Sequence, residues 1–240
     1  MKLYLDYNLT NGDNNICYVF LHGWGMKKEC FDKIISQMNV NGQILSLDFF
    51  GFGNSTESKK YFDTYEYAYY IYLKLKNLNI KNIVLIGHSF GGRIAILLSS
   101  IFDINVKAQI LTSSSGINYC NLKNKLKVLR YKFCKTLVKL KVLKKDRLNK
   151  FGSADYKNCN EVMRSVFVKV VNQDLRKHLK HIDCSTVLVW DKKDKETPYI
   201  IAKILYRNIK RSKLVNYKIG GHFAFLYNTN KFSQLINNTY

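Results

Sequence analysis

Ten residues constrain this chain more than any other stretch: Ile83-Val84-Leu85-Ile86-Gly87-His88-Ser89-Phe90-Gly91-Gly92. An apolar run leads into G-x-S-x-G, and an apolar helical run follows. A serine so placed sits on a sharp strand-to-helix turn, with its hydroxyl above the sheet edge and the next helix's N-terminal N–H groups behind it. The flanking glycines let neighbouring backbone pass where a Cβ would clash. The bland alternative is an ordinary glycine-rich turn; the order strand, turn, helix favours a nucleophile at Ser89.

The surrounding pattern agrees. Apolar runs at 17–22, 43–48, 82–88 and 106–113 read as buried strands, and 28–38, 64–78 and 90–101 carry helical spacing. Strand–helix–strand repetition implies right-handed crossovers, a mostly parallel sheet and helices on both faces. Asn11-Gly12 is expected to turn a hairpin that makes the first strands antiparallel. Alternation resumes with strands at 186–190 and 213–219. Thr197 is expected to cap a helix with Pro198 at its first position, and 223–236 forms a last helix. Residues 117–183 show only helical patterns. The expected organisation is an α/β core from 1–116 and 184–240, interrupted by a helical lid at 117–183. The chain has 240 residues, 47% hydrophobic, with a single Pro, so one sizeable core without a Pro-rich linker is expected.

A serine hydroxyl needs a base, and the base needs an orienting acid. Of five histidines, His222 follows Gly220-Gly221 after the last strand, on the same sheet edge as Ser89. His178 and His181 lie among lysines and read as surface residues, and His88 reads as packing or pocket wall. Asp191 and Asp194 both follow the strand 186–190. Asp194 is preferred because a short loop carries its carboxylate over the edge, whereas Asp191 reads as a turn residue. The order Ser89, Asp194, His222 results. His22-Gly23-Trp24-Gly25 lies after an early strand, so the N–H groups of Trp24 and Phe90 are the expected oxyanion donors. His22, His88 and Arg93 are expected substrate contacts. Arg93 has two readings, a buried ion pair with Asp48 or a cation for a substrate carboxylate.

HGWG at 22–25, DFFGFGNS at 48–55, GHSFGG at 87–92, WDKKDKETP at 190–198 and GGHF at 220–223 together resemble a small lidded esterase of the α/β-hydrolase superfamily. HGWG followed by a helical lid is similar to pimeloyl-acyl-carrier-protein methyl ester esterases, and GHSFGGR to bacterial hydrolases without an assigned substrate. The carboxylate-binding reading of Arg93 rests on a resemblance to menaquinone-pathway lyases. Phe50 and Ser185 stand where such proteins usually carry Pro, and Asp191 where they often carry Gly, a second reason to prefer Asp194.

The resemblance and the residues together lead to an expected enzyme: a serine hydrolase cleaving a carboxylic ester or thioester through an acyl-enzyme, with no metal and no cofactor. One alternative is a C–C bond hydrolase or lyase on the same fold. Another is a basic binding module with vestigial catalysis.

Charge adds a separate feature. The chain carries 39 Lys+Arg against 17 Asp+Glu, a net +22. Residues 117–150 hold ten Lys and two Arg against Asp146 alone. Compositional bias towards Lys spreads charge over a whole chain and does not predict this concentration. Apolar positions 122, 126, 129, 133, 137 and 140 are flanked by Lys123, Lys125, Lys127, Lys132, Lys135, Lys139 and Lys141. Three readings follow: an apolar face laid on the core, a docking face for an acidic acyl carrier protein, or adsorption to an anionic membrane surface. No reader motif accompanies the charge, so nucleic acid is not expected. The six Cys lack C-x-x-C spacing and read as small buried hydrophobes. The N-terminal residues lack a signal-peptide core, which leads to a cytoplasmic expectation.

Overall fold

A computed structural model describes residues 3–58, 62–119, 122–140, 142–144, 146–147 and 152–240. Cys120, Lys141 and the side chains of Leu122, Lys123, Lys125 and Lys127 lie outside the described residues.

Seven strands form one sheet. They are β1 (Tyr7–Leu9), β2 (Asp13–Leu21), β3 (Gly42–Leu47), β4 (Asn82–His88), β5 (Asn105–Thr112), β6 (Ser185–Asp191) and β7 (Ser212–Tyr217), in the order β1-β3-β2-β4-β5-β6-β7. Every neighbouring pair is parallel except β1 with β3, where Tyr7 lies opposite Leu47. The expected hairpin at Asn11-Gly12 is therefore corrected. β1 is antiparallel, but it pairs with β3, and Asp13 N–H closes instead onto the Asn41 carbonyl.

Strand alternation divides the core between the two faces. Ile83 and Leu85 of β4 join Leu111, Leu188 and Trp190 on one face; Val84 and Ile86 join Phe20, Ile110 and Val189 on the other. The first face is covered by α2 (Thr64–Asn77), α3 (Phe90–Ile101) and α7 (Tyr199–Asn208). The second is covered by α1 (Asp32–Ile35), α8 (Ala224–Tyr227) and α9 (Thr229–Asn237).

Local chemistry explains the helix starts. Asp63 accepts from the N–H groups of Tyr65 and Glu66, while Glu66 accepts from Asp63 N–H, a reciprocal cap that starts α2. Its Tyr67, Ala68, Ile71 and Leu75 then fall on the core face. Two expected helices differ. Residues 28–38 give only a 3₁₀ turn (Lys28–Phe31) and the single turn α1. Here buried Lys28 is held by Asp6 and Asp48. Thr197 does not cap α7; Pro198 is the N-cap, and Thr197 bonds to Asp194.

Between β5 and β6 the described residues are helical, with α4 (Leu122–Lys139), α5 (Ala154–Asn158) and α6 (Glu161–Asn172) followed by a 3₁₀ segment (Arg176–His181). That last stretch is part of the body, because Leu175, Leu179 and Ile182 are buried in the main core. No described helix is long and apolar enough to cross a membrane.

Candidate active site

Ser89 lies between β4 and α3 with φ 49° and ψ −106°, a strained left-handed conformation for a non-glycine residue. Backbone bonds hold it there. Ser89 N–H donates to Thr112 O at 3.1 Å, and Ser89 O accepts from Ser115 N–H at 3.0 Å and Ser115 Oγ at 3.1 Å. A Cβ on Gly87 would lie 2.8 Å from the Gly91 carbonyl oxygen, and one on Gly91 would run into the Leu21 carbonyl. The glycines thus let strand and helix approach closely enough to form the turn.

His222 lies in a 3₁₀ turn after Gly220, whose φ is 104°, and Gly221, whose φ is 55°. Asp191 anchors this turn, its Oδ2 accepting from Gly221 N–H at 2.9 Å while its Oδ1 accepts from Lys193 N–H at 2.8 Å. Asp194 stands beside the imidazole instead. His222 Nδ1 is 3.0 Å from Asp194 Oδ2 and 3.2 Å from Oδ1. The N–H groups of Glu196 and Thr197 each donate to Asp194 Oδ1 at 2.9 Å, and the Thr197 hydroxyl lies 2.7 Å from Oδ2. Burial works to raise the Asp194 carboxyl, but the hydrogen bonds from His222 and Thr197 outweigh it and hold its pKa below the ordinary value. A carboxylate acceptor requires the proton on Nδ1, which leaves Nε2 free to take one.

Ser89 and His222 line the same cavity, of about 450 Å³. Its wall includes Trp24, Phe90, Arg93, Ser115, Thr197, Lys195 and Glu196 from the body, and Ser153, Asp155, Phe167, Val170 and Val171 from the inserted helices. Trp24 packs edge-on against Phe90 at 5.5 Å and Phe167 at 5.0 Å between ring centroids. The cavity is thus apolar around Trp24, with polar groups at Ser89, His222 and Arg93.

Arg93 is corrected from the ion-pair reading. Asp48 receives Lys28 N–H at 2.7 Å and Asn54 N–H at 3.0 Å. Arg93 instead donates from Nε to Ser115 Oγ at 2.9 Å and from Nη1 to Gln173 O at 2.8 Å. Burial pulls its pKa down to about 10, against the opposing pull of Asp174. A desolvated guanidinium on the cavity wall, bonded only to neutral groups, suits an anion.

His22 and His88 stand behind the wall rather than on it. His22 Nδ1–H donates to Gly23 O at 2.7 Å and Nε2 accepts from Phe49 N–H at 3.1 Å, so the ring ties HGWG to the end of β3. His88 Nε2–H donates to His222 O. Burial pushes both pKa values down, to about 4 for His22 and about 3 for His88. His178, expected on the surface, is half-buried and bonds Tyr65 Oη through Nε2 at 2.8 Å.

Three charged cavity residues are among those not singled out from the sequence. Glu196 Oε2 lies 3.4 Å from His222 Nε2. Lys195 lines the wall beside it. Asp155 on α5 also faces in, and burial raises its carboxyl pKa against the pull of His222. No signal in the pattern marks an acid in a helical insertion as a cavity residue. Among the described residues, no cluster of His, Cys, Asp and Glu is disposed to hold a metal.

Comparison with known proteins bears on the fold. Residues 19–133 match the model of the alpha/beta hydrolase fold. AB hydrolase superfamily protein YisY of Bacillus subtilis is 26% identical, covering 91% of this chain and 89% of its own. Pimeloyl-[acyl-carrier protein] methyl ester esterase of Wigglesworthia glossinidia brevipalpis is 24% identical, covering 94% and 93%. The solved esterase of Exiguobacterium antarcticum superposes with a TM-score of 0.73 at 21% identity, covering 98% of this chain and 93% of that one. The chain has the α/β-hydrolase fold, and its similarity to named hydrolases and esterases makes it an enzyme of the hydrolase class.

Proposed function

We propose that the chain hydrolyses a carboxylic ester or thioester through an acyl-enzyme. Ser89 Oγ attacks the carbonyl, and His222 Nε2 takes its proton and later gives it to the leaving alcohol or thiol. Asp194 holds the imidazole tautomer and stabilises the imidazolium. The N–H groups of Trp24 and Phe90 receive the oxyanion, a role in which one donor is typically worth about 2.7–4 kcal/mol. Water then attacks the acyl-enzyme, and His222 acts as base a second time. Within the expected lid at 117–183, the helices α5 and α6 bring Phe167, Val170, Val171 and Asp155 over the acyl group. Arg93 receives a negative group on the substrate.

The observation that supports this reading most directly is the hydrogen-bonded pair His222–Asp194 opening on the same cavity as strained Ser89. The esterase names of two relatives support the ester over other bonds. A fluorophosphonate probe should label the wild type and not Ser89→Ala, and p-nitrophenyl esters should be turned over by the wild type alone. Labelling that survives in Ser89→Ala would refute the assignment. Labelling of Ser89 without turnover of any ester or thioester would favour the C–C bond reaction.

A further inference from the structure

The apolar stripe of α4 does not lie on the core. Leu126, Leu129 and Phe133 are exposed, Leu129 by 64% and Phe133 by 66%, and Leu140 and Val142 continue the exposure past the helix end. Spacings of three and four put the first three on one face. Tyr131, Cys134, Leu137 and Val138 are half-buried instead. Among the described residues no other helix or strand packs extensively along α4, and no α4 side chain lines the catalytic cavity. Arg130, Lys132, Lys135 and Lys139 are exposed beside the stripe, and 117–145 holds no acid.

We infer that α4 docks flat on an anionic phospholipid surface, with the Leu126–Leu129–Phe133 stripe in the acyl boundary and the flanking cations on lipid phosphates. An amphipathic helix with a basic margin and low overall hydrophobicity lies in the interface plane. A second copy of the chain is a poor occupant, because each brings the same uncompensated positive segment to the contact. An acidic carrier protein matches the cations but offers less to cover a row of bulky apolar side chains. A bilayer accommodates both at once. This surface is independent of the ester chemistry.

The test is co-sedimentation of the full chain with phosphatidylcholine vesicles, with and without roughly one third phosphatidylglycerol. Binding to the anionic vesicles alone is expected, weakened by about 0.5 M salt. Leu129→Ser/Phe133→Ser and Lys132→Glu/Lys135→Glu/Lys139→Glu should each reduce it at least about tenfold, with unchanged urea unfolding showing that both variants fold. Equal binding to neutral vesicles, or anionic binding that neither variant weakens, would overturn the proposal. So would a dimer by light scattering that the Leu129/Phe133 variant disperses. Binding to an acidic acyl carrier protein, lost on charge reversal, with no vesicle binding, would give the face to that partner instead.

Discussion

His88 Nε2 donates a 3.0 Å hydrogen bond to the carbonyl oxygen of His222. The residue before the nucleophile therefore holds the turn that carries the base, from beneath and without reaching the cavity. Burial keeps the ring in its neutral form. Its pKa is pushed down to about 3 by burial, with neighbouring His222 adding to the effect.

That neutrality has a pH signature. Once pH falls below about 6.5, an unfolded chain binds a proton that the buried ring refuses, so acid favours unfolding. The stability is present above the unfolded value and drains away as pH drops towards the folded one. One such ring contributes about 1.4 kcal/mol per pH unit. In His88→Gln the amide still donates to His222 O. Urea unfolding between about pH 6 and pH 4 should show a slope smaller than wild type by about 1.4 kcal/mol per unit. Parallel slopes would mean that His88 takes up protons in the folded state.

The two aspartates after β6 should separate cleanly. Asp194→Asn keeps the shape but removes the acceptor that fixes the Nδ1–H tautomer, so kcat should fall about 10³–10⁴-fold. Asp191→Asn touches only the backbone anchors of Gly221 and Lys193, keeps one oxygen acceptor, and should cost about tenfold or less, the worth of one hydrogen bond. Steady-state hydrolysis of one p-nitrophenyl ester measures both. A reversed order would exchange their roles.

Arg93→Met tests substrate charge. On an ester with a free carboxylate at the far end of its acyl chain, kcat/KM should fall about 10–100-fold, as for a lost charged hydrogen bond. A neutral ester of matching length should change by less than about threefold. Equal losses on both would make Arg93 a structural brace of Ser115 and Gln173.

Gly87→Ala should lower the urea-unfolding free energy by about 1–3 kcal/mol, because the new Cβ meets the Gly91 carbonyl and neither backbone can yield freely. An unchanged midpoint would show slack in the turn.

Some of this was legible in the sequence, for a physical reason. The strand at 82–88 and the helix at 90–101 emerge with the expected bounds because both are buried runs punctuated by glycine, where local pattern and packing agree. The partner of β1 was not legible, since antiparallel pairing at an edge depends on which distant strand lies there. The helix expected at 28–38 shrinks to two turns, one of them 3₁₀, beside Lys28, whose carboxylate partners come partly from Asp6 and Asp48, far along the chain. Thr197 carries the dipeptide signal of a helix cap, yet its N–H and hydroxyl go to Asp194, a choice made only once β6 and β7 are side by side. The period of α4 revealed two unlike faces but not which of them meets solvent.

The stretch of helix behind Ser89 from Phe90 to Leu98 is shut off from solvent. It has no room to fray or tilt independently of the sheet. A reactive serine mounted there should survive heating until the entire interior melts, then vanish together with it. Thermal inactivation and loss of near-ultraviolet dichroism would trace one curve, while α4, lying outside that cooperative block, can come loose earlier and leave the chemistry standing.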